Sequence, residues 1–299
     1  MRASIQTLVQ CRLTGWLCAV GVVVVWSGWL VVSRLGVVQN LTIYDLMMLR
    51  FSFALGAVTP LLWRYWPRHL KWWQIALFSV GQGVPYLGLA FGGFQFAPAS
   101  HAGVMMNGTL PIIVALIGWV WLKEKPILSQ IFGMVIILLG CGLIALDRGV
   151  RGVEHDVWIG HLMFIGASSF VAFNLVFTKV WNLTALQAVV LMPSVNLAWF
   201  GPIYLAVLPS ALREAQWQEI VLQGIYQGFG PSFVGVFLFT TAIRVIGTAS
   251  TAAVMALVPA MAALIAIPVL NEWPSSFVWV GIAVVTAGIV LATHIDKKY

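Results

Sequence analysis

Charge is what this chain has least of. Only 8% of its 299 residues are Asp, Glu, Lys or Arg, and 61% are hydrophobic. A soluble globular domain carries roughly a quarter charged residues, so water cannot be the solvent for most of this surface. Acids are scarcest of all, nine in number, and none stands at the middle of an apolar run. The cysteines are Cys11, Cys18 and Cys141. Their odd count and the lack of a CxxC pair argue against a disulfide framework and a thiolate metal site. No P-loop, HExxH or GxSxG occurs, which argues against an ATP-driven pump, an intramembrane protease and a membrane-bound metalloenzyme. No cofactor and no metal are expected. The net charge of +7 comes from lysines and arginines scattered through short breaks. Such residues orient helices in a bilayer and form no basic face for nucleic acid.

What is present is apolar sequence in helix-length runs. Ten segments span roughly 13–36, 44–63, 72–94, 98–122, 127–147, 157–179, 184–208, 217–240, 247–270 and 275–295, each near the length that crosses a bilayer. The first run is too long for a signal-peptide core and lacks a small-residue cleavage site, so it reads as a retained helix. The expected class is an all-α polytopic membrane protein. With both termini cytoplasmic, the inner side holds Arg2, Arg12, Arg64, Arg68, Lys71, Lys123, Lys125, Lys179, Arg244, Lys297 and Lys298. The outer side holds Arg34, Arg148, Arg151 and Arg213. That asymmetry supports ten spans with both termini in the cytoplasm, and the expected location is a bacterial-type inner membrane.

The chain repeats itself. "PIIVALIGWVWLKEKP" at Pro111 returns 148 residues later as "PAMAALIAIPVLNEWP" at Pro259. Glu124 falls on Glu272, Pro126 on Pro274, Gly133 on Gly281 and Gly140 on Gly288. At a shift of 145, Gln82 meets Gln227, Trp29 meets Asn174, Ser33 meets Thr178 and Arg34 meets Lys179. Each half holds five spans: residues 1–147, an outward-facing linker 148–156, then 157–299. Five is odd, so the halves insert in opposite orientation, an architecture of secondary transporters.

The paired "KEKP" and "NEWP" endings, Trp26 in the first span, the "MLRFSFALGA" start of the second and the glycine-rich fifth and tenth spans resemble the EamA repeat of the drug/metabolite transporter superfamily. The resemblance implies a ten-helix, exporter-like carrier of small metabolites, amino acids or drugs. It also implies a central cavity among the third, fourth, eighth and ninth helices with the first and sixth. The fifth and tenth would be peripheral and could join two copies as a homodimer. Four-helix relatives in that superfamily carry a proton-binding glutamate in the first span. This first span carries Trp26, Trp29 and Ser33 and no acid, so carboxylate-based proton antiport is not expected.

Candidate substrate contacts are the polar and aromatic groups deep in the spans. Trp26 and Trp29 offer an aromatic wall or ordinary packing. Gln82 and Tyr86 share a stretch of the third span, and Gln227 is the repeat partner of Gln82. Asn107 lies one turn before Pro111 and serves either as interhelical glue or as a ligand. Asn174 and Met255 hold corresponding positions in the second repeat. Structural or gating roles fall to Arg50, expected to pair with Asp45 or to cap carbonyls with substrate capture as the alternative, to the kink residues Pro111 and Pro259, and to Glu124 and Glu272. His101 and His161 read as polar packing. The expected function is secondary efflux of an amphiphilic solute, an amino acid or an organic cation. A structural or signalling membrane protein and an intramembrane enzyme are the alternatives.

Overall fold

The computed structural model describes residues 2–39, 41–147 and 156–293, with side chains from residue 12 onward except at 248 and 249. All regular structure among them is helical. Ten helices are long and apolar enough to cross a membrane: Arg12–Val38, Ile43–Tyr65, Trp72–Phe96, Ala99–Trp121, Leu128–Ala145, Val157–Val180, Ala185–Val207, Trp217–Ile246, Ser250–Leu270 and Ser276–Thr293. We call them the first to tenth spans. All ten expected segments are present. The eighth runs further than its apolar composition suggested.

Local chemistry sets the ends, and it repeats between the halves. Thr42 caps the second span, its hydroxyl accepting from the Asp45 amide at 3.1 Å while Asp45 Oδ2 accepts from the Thr42 amide at 2.9 Å. Thr184 and Gln187 build the same reciprocal box on the seventh. The fourth and ninth spans end on left-handed residues, Lys123 (φ 61°) and Asn271 (φ 54°). The following amides turn back, Glu124 N to Gly118 O at 3.0 Å and Glu272 N to Ala266 O at 3.4 Å. That closing turn, with proline two residues beyond, is the physical content of the repeated "KEKP" and "NEWP".

Three spans are interrupted near their middle. The third consists of Trp72–Gly81 and Val84–Phe96, broken at Gln82–Gly83. The eighth has a π-helical turn, Gly230–Gly235, at Pro231, which has no N–H to give. The ninth consists of Thr248–Met255 and Val258–Leu270. Carbonyls freed by such breaks need donors inside a membrane. Ser27 Oγ donates to Val258 O at 3.0 Å and Thr286 Oγ1 to Ala256 O at 3.1 Å.

The packing obeys the repeat. The first span packs on the eighth and ninth, and the sixth packs on the third and fourth. The second meets the eighth as the third meets the seventh, while the second and seventh, fourth and ninth, and fifth and tenth spans pair across the repeat axis. The fifth and tenth cross on their glycines. A side chain at Gly140 would stand 3.0 Å from the Gly281 carbonyl, and one at Gly288 would stand 2.9 Å from the Gly133 carbonyl. These glycine faces are therefore occupied within the chain, and a contact between copies through these spans would use their other faces.

Candidate functional site

An even number of spans puts both ends of the bundle on one side, here the terminal side. Asp147 and Asp156 lie on the other, the linker side. About 10–15 Å in from the linker-side helix ends, at 1.5 Å per residue, four spans bring together Trp29, Arg50, Tyr86 and Gln227. The Trp29 indole N–H donates to Gln227 Oε1 at 2.7 Å, and Gln227 Nε2 donates to Ser33 Oγ at 3.0 Å and Gln223 Oε1 at 3.3 Å. Tyr86 lies nearly parallel to Trp29, ring centres 6.1 Å apart, with Phe91 and Phe94 on further sides. The Arg50 guanidinium lies 5.7 Å from the Trp29 ring centre and reaches Gln227 Oε1 at 3.4 Å.

The expected pairing of Arg50 with Asp45 is not made. Five residues on a helix turn through about 140° beyond a full circle, so the two side chains leave on different faces. Asp45 Oδ1 accepts from the Tyr204 hydroxyl at 2.5 Å and from Ser210 Oγ at 2.8 Å, and Oδ2 accepts from the Ala211 amide at 3.0 Å. It fastens the seventh span and the loop after it to the start of the second. Nor does Arg50 cap a carbonyl: Gln227 is its one hydrogen-bond partner among the described residues.

The other candidates separate. Asn174 donates to the Phe78 carbonyl at 3.1 Å, ahead of the break in the third span. Asn196, which the sequence reading passed over, fills that break. Its Nδ2 donates to Ser79 O at 3.0 Å and its Oδ1 accepts from Val84 N at 3.1 Å. A lone asparagine inside an apolar run was the signal available. Gln82 ends the first piece of the span, half-buried and with no side-chain hydrogen bond. Asn107 donates to Gly103 O in its own helix at 3.1 Å, so it is not interhelical glue. Met255 is half-buried at the break in the ninth span. Trp26 packs on the π turn and on Phe239, at 5.3 Å, away from Arg50's partners. Pro111 lies inside the unbroken fourth span, and the Pro259 backbone is 3.1 Å from where a side chain at Gly103 would begin.

Glu272 joins the linker-side ends of three elements. It pairs with Arg34 Nε at 2.8 Å and accepts from the Ala99 amide at 3.0 Å, while Arg34 also donates to the Phe94 carbonyl. Its repeat image, Glu124 with Lys179 at 2.7 Å, closes the terminal side more weakly. Those side chains are 58% and 64% exposed, against 18% and 10% for Glu272 and Arg34. His101 Nδ1 and His161 Nε2 lie 2.9 Å apart, His101 Nε2 lies 3.4 Å from Asp147 Oδ2, and Ser275 Oγ donates to Asp147 at 2.8 Å. This chain ties the fourth, fifth, sixth and tenth spans near the linker side. A hollow of about 660 Å³ lies elsewhere, between the second and seventh spans. It is lined by Leu55, Leu62, Trp63, Trp66, Arg68 and Ser194, and none of the polar candidates borders it.

With this geometry in place, similarity to known proteins is informative. Residues 13–146 and 158–293 each match the EamA-like transporter family, dividing the chain where the internal repeat does. The chain is 26% identical over 260 residues to a Bacillus subtilis (strain 168) protein named as the uncharacterized transporter YwfM, covering 83% of this chain and 84% of that one. A solved crystal structure 18% identical superposes with a TM-score of 0.61 over 95% of this chain and 96% of the other, a likeness of fold alone. Ten apolar helices, two repeats and these matches make this an integral multi-pass membrane protein of a transporter family rather than an enzyme family. The chain belongs to the EamA-like transporter family.

Proposed function

We propose that the protein is a secondary carrier that moves a small amphiphilic metabolite out of the cytoplasm across a bacterial inner membrane by alternating access between its two repeats. One observation carries this reading: the repeat symmetry of the packing is broken on one side. The first span packs on the linker-side half of the third span and on the fourth. The image contacts would bring the sixth span onto the eighth and ninth, and no comparable contact exists among the described residues. Both halves of the ninth span touch the first and tenth, but only the linker-side half packs to any extent on the fourth, and the terminal-side half packs on the eighth instead. An inverted repeat caught in one asymmetric arrangement has its mirror arrangement as a second state. Exchanging the two would expose the centre first to one side and then to the other.

The mid-span breaks support the same reading, because interrupted helices at the repeat interface are where such carriers place substrate. Gln82 and Met255 stand at these interruptions, and Asn107 in the unbroken fourth span, with polar or adaptable groups not tied to another span among the described residues. The test is purified protein in liposomes, screened with labelled amino acids, organic acids and cationic dyes. Saturable, counter-stimulated flux of at least one solute is expected. No flux above protein-free liposomes for any of them, with the protein folded, would defeat the proposal.

A further inference from the structure

Arg50 is an intramembrane cation with no ion-pair partner among the described residues. A guanidinium has five N–H donors and no acceptor, and at Arg50 one donor is engaged, at a long 3.4 Å. The described carboxylates are placed elsewhere. Glu272 holds Arg34, Glu124 holds Lys179, Asp147 faces His101 and Ser275, and Asp45 faces Tyr204. Asp156 and Glu214 lie at or beyond the linker-side helix ends, and Glu219, whose Oε2 has no partner among the described residues, begins the eighth span eight residues, about 12 Å along the helix, before Gln227. Arg50 is surrounded by protein yet keeps some accessible surface. Ionisable residues inside membranes are paired or functional. Gln227 is itself fixed by Trp29, Ser33 and Gln223, so it orients the cation without neutralising it.

We propose that Arg50 is the docking point for the carboxylate of a small organic monoacid, with Trp29 and Tyr86 facing its apolar body. The proposal rests on the carrier reading and names its substrate class. One planar guanidinium matches one carboxylate in a two-pronged contact. A phosphate dianion would call for further cations or a run of free amides, and neither adjoins Arg50. The remaining neighbours, Trp29 and Tyr86, are aromatic and buried, suiting an apolar body more than a sugar. An organic cation would meet repulsion from Arg50 and find no acid there. An amino acid would bring an ammonium with no described carboxylate beside Arg50 to receive it, since Glu219 stands about 12 Å along the helix from Gln227.

The experiment measures binding of radiolabelled phenylacetate to the full-length protein in nanodiscs. Competitors are benzoate, methyl phenylacetate, phenethylamine and inorganic phosphate. Saturable binding is expected, displaced by benzoate and not by the ester, the amine or phosphate. Arg50→Gln is expected to weaken binding roughly tenfold or more, the worth of a charged hydrogen-bond pair. Arg50→Lys is expected to fall between, since a point charge cannot make the fork. Melting curves identify a variant that does not fold, and the acid-against-ester comparison on the unaltered protein then decides alone. No saturable binding by folded protein, equal displacement by ester or amine, stronger displacement by phosphate, or unchanged binding in folded Arg50→Gln would each overturn the proposal. Binding at Arg50 without movement across liposomes would defeat the carrier reading and leave the site. Flux indifferent to Arg50→Gln would defeat the site and leave the carrier.

Discussion

Glu272 and Arg34 form on the linker side, largely buried, the same pair that Glu124 and Lys179 form exposed on the terminal side. Inverted repeats should give equal pairs if the protein were symmetric. The difference is that Glu272 and Arg34 also hold the Ala99 amide and the Phe94 carbonyl, so that pair fastens the third-to-fourth connection as well. Charges removed from water interact more strongly than exposed ones, where the median pair contributes about 0–1 kcal/mol.

The first prediction follows from that difference. Glu272→Gln should loosen the linker side, and Glu124→Gln should change little. Val31 is buried in the linker-side cluster with Ala99 and Ala266. With Cys11, Cys18 and Cys141 replaced by alanine, a cysteine at Val31 reports opening through its rate of modification by an impermeant maleimide. Faster labelling with Glu272→Gln and not with Glu124→Gln is expected. Equal rates in both backgrounds would remove the latch from the mechanism.

The glycine seam gives a second prediction with a built-in control. A side chain at Gly140 would meet Val285 at 2.5 Å and the Gly281 carbonyl at 3.0 Å, while one at Gly142 would meet nothing within 4 Å. Gly140→Leu should therefore destabilise the protein by about 1–3 kcal/mol through overpacking, and Gly142→Leu should be close to neutral. Thermal melting in detergent distinguishes them. A neutral Gly140→Leu would mean that the fifth and tenth spans are not pressed together there.

Much of this architecture was legible because membrane helices announce themselves by length and the duplication by rare residues at fixed offsets. Glu124 and Glu272, with Pro126 and Pro274, sit at equivalent helix ends because a turn that needs a left-handed residue and a following proline tolerates few substitutes. Pro111 and Pro259 are equivalent in sequence, but Pro111 lies inside an unbroken helix and Pro259 just after the break in the ninth span. Gln227 and Trp29 were singled out separately, and the structure joins them at 2.7 Å. What the sequence could not give is partnership between spans. Arg50 and Asp45 look paired at five residues apart, yet helix geometry turns them to different faces and Asp45 serves Tyr204, 159 positions away. Asn196 was passed over for the same reason: the break it fills lies in another span, and nothing in its own run records that.

Orientation yields a third prediction. Arg68 is exposed in the loop between the second and third spans, and Glu214 is exposed in the loop between the seventh and eighth. These loops lie on opposite sides. The lysine and arginine balance predicts a cytoplasmic Arg68. In intact cells, a cysteine at Glu214 should react with an impermeant maleimide, and one at Arg68 should react only after permeabilisation. The reverse pattern would invert the assigned direction of transport while leaving the repeat intact.

The fourth prediction contrasts two asparagines and separates scaffold from site. Asn196 supplies a donor to Ser79 O and an acceptor to Val84 N across the break in the third span, and both groups would be left without partners by Asn196→Leu. Interhelical hydrogen bonds in membranes are worth roughly 0.5–2 kcal/mol, and a stranded polar group adds to that loss. Asn196→Leu should thus lower the melting temperature, and Asn174→Leu should do so for the Phe78 carbonyl it serves. Asn107 bonds only a carbonyl of its own helix, whose N–H donors persist without it. Asn107→Leu should leave melting nearly unchanged. If the partly accessible amide meets the solute, the same change should weaken apparent affinity about tenfold, which is ~1.4 kcal/mol. Melting curves and concentration-dependent flux on the three variants decide the matter. A strong loss of stability in Asn107→Leu would make it scaffold after all, and unaltered affinity with unaltered stability would place the solute on another wall of the bundle.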